Sequence, residues 1–290
     1  MARLFGLMGN RADLVGRVLA AEGDVLRAGR DTRHATDDAV AEGAASAPLG
    51  WGMGFYQGGE VLLRRRPLDD RPEIDLAKQA SDVRADLLLA HVRSPTVGSL
   101  RTENTHPFRY RQWLFAATGT LPSFDAIRDR LLEGIPAFLR SGIRGETDSE
   151  AFFHVFLSFL HDAGKLDDGI VPPRVARDAL RASLSMVDGI AAEVGAETTQ
   201  MNAILTDGEV LIALHRGKPM ACRVLAGKSD AEHLIGDDVQ LRRKTPELGH
   251  MHFALVASDF DAPPPPRWKT LAGHAIVTLS RDESPAIETL

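Results

Sequence analysis

The sequence predicts an α+β fold. Strand-like runs come in clusters, helical periodicities are grouped between those clusters, and two hairpin signals join neighbouring strands without a helical crossover. No internal repeat and no convincing boundary interrupts this order, so residues 1–290 are read as one domain.

The elements follow in chain order. Met1 to Gly9 reads as strand-like from the first residue, and Asp13 to Ala21 reads as a short helix. Residues 29–47 are small and polar, a loop or excursion. Trp51–Tyr56 and Glu60–Arg66, joined by Gln57-Gly58-Gly59, form a hairpin whose glycines supply the turn. Leu76–Val83 is a candidate helix. Leu87–Arg93 is a continuous apolar run, the pattern of a strand buried on both faces. A polar loop, 94–108, leads to a strand from Gln112 to Ala117, with Thr118-Gly119 following it, and Ser123 is placed to cap a helix ending near Glu133. Thr147 and Glu150 have the spacing of a capping box for a helix whose apolar residues, Phe152, Phe153, Val155, Phe156, Phe159 and Leu160, recur at three and four. Gly164 ends that helix, and Pro172-Pro173 opens a long one reaching Glu193. Met201–Thr206 and Glu209–His215, around Asp207-Gly208, make a second hairpin; 221–225, 250–258 and 274–280 are further strands, with Pro263–Pro266 an extended loop between the last two.

Composition restricts the function. The net charge of −6 argues against a general binder of nucleic acid or anionic membranes, and no stretch reaches membrane-span length. One cysteine, Cys222, excludes an intramolecular disulfide; it reads as a small buried side chain in a chain expected to be cytoplasmic. Arg64-Arg65-Arg66 reads as an exposed strand end. His250 and His252 would share a strand face, yet no third metal ligand accompanies them, and no metal or other cofactor is expected.

Asp148 falls in the first turn of the helix capped by Thr147, where the helix dipole favours an ionised carboxylate. Such a group suits a ligand ammonium, or serves only the dipole. Four separated pieces then coincide: Arg3-Leu4-Phe5-Gly6, Ala90-His91-Val92-Arg93-Ser94-Pro95-Thr96, Glu103-Asn104-Thr105-His106-Pro107-Phe108, and Gly145-Glu146-Thr147-Asp148-Ser149-Glu150. In this order the chain resembles the stand-alone class II glutamine amidotransferases. The resemblance implies the N-terminal-nucleophile fold, a four-layer αββα sandwich of two stacked antiparallel sheets.

The resemblance also assigns roles. The family nucleophile is a cysteine at the second position, where this chain has Ala2, whose methyl group cannot attack an amide. The family oxyanion hole, an Asn side chain and a Gly amide, corresponds to Thr118 and Gly119. Arg93 and Thr96 match the grip on a substrate α-carboxylate, and Asp148 matches the acceptor of its α-ammonium. Asn104 and His106 are expected to be scaffolding, and His91, His154 and His161 core or helix-face residues. The resemblance thus implies a degenerate member that lacks the cysteine-dependent step and keeps a pocket for a small amino-acid-like ligand, glutamine or a γ-glutamyl compound, or a role in binding a protein partner. The rival expectation is an active amidohydrolase whose cysteine Ala2 replaces, or one that uses another catalytic group.

Overall fold

A computed structural model describes residues 2–26, 50–67, 76–93, 99, 101–244, 248–260 and 263–290. Thr96 and the excursion at 29–47 lie outside the described residues. The strands are β1 (Arg3–Gly9), β2 (Gly50–Gln57), β3 (Glu60–Arg66), β4 (Leu87–Arg93), β5 (Phe108–Tyr110), β6 (Trp113–Thr120), β7 (Gln200–Thr206), β8 (Leu211–Arg216), β9 (Met220–Ala226), β10 (His252–Ser258), β11 (Lys269–Thr270), β12 (Ala275–Leu279) and β13 (Ala286–Thr289). They form two antiparallel sheets, in the orders β11-β9-β10-β1-β4-β2-β3 and β13-β12-β8-β7-β6-β5.

The helices are α1 (Val15–Glu22), α2 (Leu76–Gln79), α3 (Phe124–Glu133), α4 (Ala137–Arg140), α5 (Asp148–Asp162), α6 (Pro173–Glu193), α7 (Gly227–Ile235) and α8 (Val239–Lys244). Alternation along the strands sorts their side chains into three apolar layers. Leu4 and Met8 of β1, Leu87 and Leu89 of β4, Leu114 and Ala116 of β6, and Ile204 of β7 meet between the sheets. Phe5 and Leu7 turn outward to pack with Val15, Val18 and Leu19 of α1 and with Leu234 of α7. Trp113, Phe115 and Leu205 turn outward on the other sheet, under α3, α5 and α6. The result is the expected four-layer sandwich.

Several local expectations need correction. β6 runs through Thr118 and Gly119, so these residues lie within the strand and not after it. The Leu76–Val83 helix is the four-residue α2. Ser123 adopts left-handed φ and makes no side-chain cap bond. Thr147 does cap α5, accepting from the Glu150 N–H at 3.2 Å, but the Glu150 carboxylate accepts from the N–H groups of Arg144 and Gly145 at 2.9 and 2.6 Å. Those two N–H groups belong to the loop ahead of the helix, so the carboxylate fixes that loop. His250 lies in a 3₁₀ turn ahead of β10, whereas His252 lies in the strand, with its ring against the Arg281 carbonyl.

Candidate functional site

The apolar rows between the sheets become polar at one end, and a cavity of about 540 Å³ opens there. Stepping by two from Leu4 leads to Ala2, from Leu89 to His91, from Ala116 to Thr118, and from Ile204 to Asn202. All four of these residues line the cavity, together with Asn104, His106, Gly119, Gln200, Lys218, Asp259 and the α5 start. The sandwich therefore seals its core along most of each row and leaves one polar end open.

Helix α5 carries Asp148 to this end. Its seat on β6 is aromatic: Phe153 stacks on Phe115 with ring centroids 5.2 Å apart, and Phe156 meets Trp113 edge-on at 5.1 Å. Asp148 is buried, and its two oxygens accept from the N–H groups of Leu121 and Ser149 at 2.7 and 2.8 Å. Oδ1 also accepts from the Ser149 hydroxyl at 3.4 Å, which leaves Oδ2 with lone-pair capacity for a further donor. Burial pushes this carboxyl above the usual aspartate range, while the two N–H groups act against that shift. The first-turn position is as expected; the dominance of burial over these donors was not.

The loop before α5 is tied to the rest of the site. Asn104 accepts from the Glu146 N–H at 2.8 Å, and a Cβ at Gly145 would lie 2.3 Å from the same Asn104 oxygen. Gly145 is thus the residue that lets the two loops close. Arg93 is the last residue of β4, paired with Gly50 across the strands.

Thr118 and Asp259 form another part of the lining. The Thr118 hydroxyl donates to Asp259 at 2.6 Å, in the range of a charge-assisted bond. The Ser258 hydroxyl also donates to Asp259, and Asn202 contributes a further side-chain hydrogen bond. Burial drives the Asp259 carboxyl upward, opposed by these donors and by the charge of Lys218. Asn202 itself accepts from the N–H groups of Arg216 and Gly217 at 3.1 and 3.0 Å and donates to the Lys218 carbonyl at 2.7 Å, fixing the turn that carries Lys218. Gly119 has φ of +94°, and a Cβ there would sit 2.2 Å from the Gln200 carbonyl oxygen, so the position accepts only glycine.

The His91 and His106 rings pack with centroids 4.3 Å apart and planes tilted by 44°, and both line the cavity. Sequence reasoning made His91 a core residue; extending the period-two row of β4 would have placed it here. Nothing local marked Asp259, whose position follows from the end of a strand pairing β9 and β1. The one thiol is elsewhere: Cys222 is buried between the sheets, and burial pushes it up to about 12. Among the described residues no group of three metal-ligating side chains occurs, and no helix is long and apolar enough to cross a membrane. The site therefore presents carboxylate acceptors, two imidazoles and a lysine around a space fit for a small polar molecule, with a methyl group at position 2.

The family model described as class-II glutamine amidotransferases matches residues 37–283. Over 146 residues the chain is 31% identical to "Probable glutamine amidotransferase DUG3" of Saccharomyces cerevisiae, covering 48% of this chain and 41% of that protein. The chain thus spans less than half the length of that relative. A solved structure from Silicibacter pomeroyi, described as a glutamine aminotransferase class-II domain protein, superposes with TM-score 0.58 at 17% identity, covering 99% of each chain. A Pseudomonas aeruginosa structure, described as a "predicted glutamine amidotransferase", gives TM-score 0.55 at 18% identity over 97% of this chain and 98% of that one. At these identities the two structures establish the fold.

Proposed function

The chain belongs to the class II glutamine amidotransferases, and from that premise we propose that it is a member without the cysteine-dependent glutaminase step, retaining a pocket for an α-amino acid or γ-glutamyl ligand. One observation carries the reading. Ala2 lines the cavity, while the only cysteine of the chain lies between the sheets and outside the cavity lining. A thiolate is what attacks in cysteine-dependent amide hydrolysis, and a buried thiol of raised pKa supplies none. The ligand half of the reading rests on Asp148, which lines the cavity and whose Oδ2 has lone-pair capacity that suits an α-ammonium. In this reading Arg93 and Thr96 take the α-carboxylate, and Gly119 borders the bound ligand.

The test has two arms. Purified protein incubated with glutamine is expected to release no ammonia above a heat-denatured control. Turnover that survives thiol alkylation would instead reveal another catalytic group. Calorimetry over a panel of amino acids and γ-glutamyl compounds is expected to find a binder, weakened at least tenfold by Asp148→Ala and by Arg93→Ala. Binding indifferent to both substitutions removes the pocket assignment.

A further inference from the structure

A hydroxyl has one proton to donate and two lone pairs to offer. Thr118 gives its proton to Asp259 at 2.6 Å, so the cavity meets only its lone pairs. Asp259 in turn accepts from the hydroxyls of both Thr118 and Ser258. This wall of the cavity therefore accepts hydrogen bonds, whereas an oxyanion hole must donate them.

We propose that this wall selects the distal end of the ligand, so that the pocket prefers α-amino acids whose side chain ends in an N–H donor, above all a distal ammonium. The inference rests on the reading of Asp148 as the α-ammonium site. Charge agrees with it. Among the described lining residues the charged side chains are Asp148, Asp259 and Lys218, and Lys218 is exposed at the rim while both carboxylates are buried. An amino acid with a distal ammonium carries one net positive charge and places one cation near each carboxylate. A distal carboxylate, as in glutamate, would meet Asp259 and the lone pairs of Thr118, acceptor against acceptor. Glutamine's γ-amide fits when its NH₂, and not its carbonyl, faces Thr118.

Titration calorimetry with L-ornithine, L-lysine, L-glutamine and L-glutamate tests this, with norvaline and norleucine as analogues lacking the distal nitrogen. Ornithine or lysine is expected to bind at least tenfold more tightly than its hydrocarbon analogue, and glutamate more weakly than norvaline. Thr118→Val keeps the shape and removes the hydroxyl; Asp259→Asn removes the charge. Each should cut the preference at least threefold, with circular dichroism confirming the fold, and the Val variant decides the matter if the Asn variant misfolds. A preference below threefold in the wild type, or one unchanged in the folded variants, overturns the proposal even where Asp148-dependent binding of norleucine upholds the pocket reading. If no α-amino acid binds, the diamine cadaverine decides. Binding that is weakened by Thr118→Val supports the acceptor wall without the α-amino-acid reading, and no binding overturns both.

Discussion

The proton on the Thr118 hydroxyl is committed to Asp259, and this changes what repairing the family's chemistry requires. On the proposed reading, Ala2→Cys supplies a nucleophile, with a free α-amine beside it once Met1 is removed, but leaves a tetrahedral intermediate without the side-chain donor. A missing donor costs roughly a hundred- to a thousandfold in rate. An asparagine at 118 carries two amide protons. One can satisfy Asp259 and the other can face the cavity. Ala2→Cys alone should therefore label only slowly with an electrophilic glutamine analogue, and Ala2→Cys with Thr118→Asn should be at least tenfold faster. Mass spectrometry reads both the labelling and Met1 removal; equal rates would mean that another group already completes the oxyanion hole. Position 118 was legible from its motif partners, and Asp148 from the cap that Thr147 provides. Asp259 was not legible, because its place depends on which strands neighbour β10, and that is a property of the sheet order. His91 was legible in principle: Leu87, Leu89 and His91 share one face of β4, and the apolar run hid the change from core to cavity at its end.

Helix α5 shows how far an element can be read from its own residues. The aromatic periodicity, the Thr147 cap and the Gly164 terminus all stand, with Gly164 at φ of +66° and the Lys165 N–H returning to the Leu160 carbonyl at 2.8 Å. Elements of two to nine residues were missed, among them β5, α4, α7, α8 and β13, because so few residues repeat a period too few times to stand out. Gly52 marks what sequence periodicity cannot show, since its missing Cβ would sit 1.9 Å from the His106 carbonyl oxygen in another loop. Within α5, His154 is buried, with Nδ1 3.0 Å from the Glu150 carbonyl and no hydrogen-bond partner at Nε2 among the described residues. Burial lowers its pKa below the usual 6.5, so the folded protein holds it neutral while the unfolded chain protonates it. That contribution is present above pH about 6.5 and is lost as pH falls toward the lower folded value. His154→Phe keeps an aromatic ring beside Tyr110 and Phe153 and has no proton to gain. Urea unfolding at pH 7.5 and 5.5 should show the variant gaining stability relative to the wild type at the lower pH. An unchanged difference between the two proteins at both pH values would mean that His154 takes up its proton in the folded state.

At the scale of the whole molecule, stacking the sheets accounts both for the open polar end and for the isolation of the one thiol. The row that ends in Ala2 and Thr118 begins among Met8, Leu114 and Ile204, in the same layer that holds Cys222. Cys222 is only 6% exposed, and its pKa of about 12 leaves almost no thiolate at neutral pH. Alkylation in the native state must therefore wait for the layer between the sheets to open. Opening that layer exposes β9 together with its neighbours β10 and β11, so the labelling rate should follow cooperative unfolding more closely than local fraying at the cavity. Iodoacetamide labelling at pH 8, followed by mass spectrometry, is expected to run at least a hundredfold slower in buffer than in denaturing urea. A ligand bound at Asp148 should slow it further by mass action, since it stabilises the folded form alone. Fast native labelling would mean that β9 separates from the sandwich on its own, and would place the weak seam at that sheet edge. Slow labelling has a second use: it certifies that any amide hydrolysis by the folded protein proceeds without a thiol, since the chain has no other cysteine.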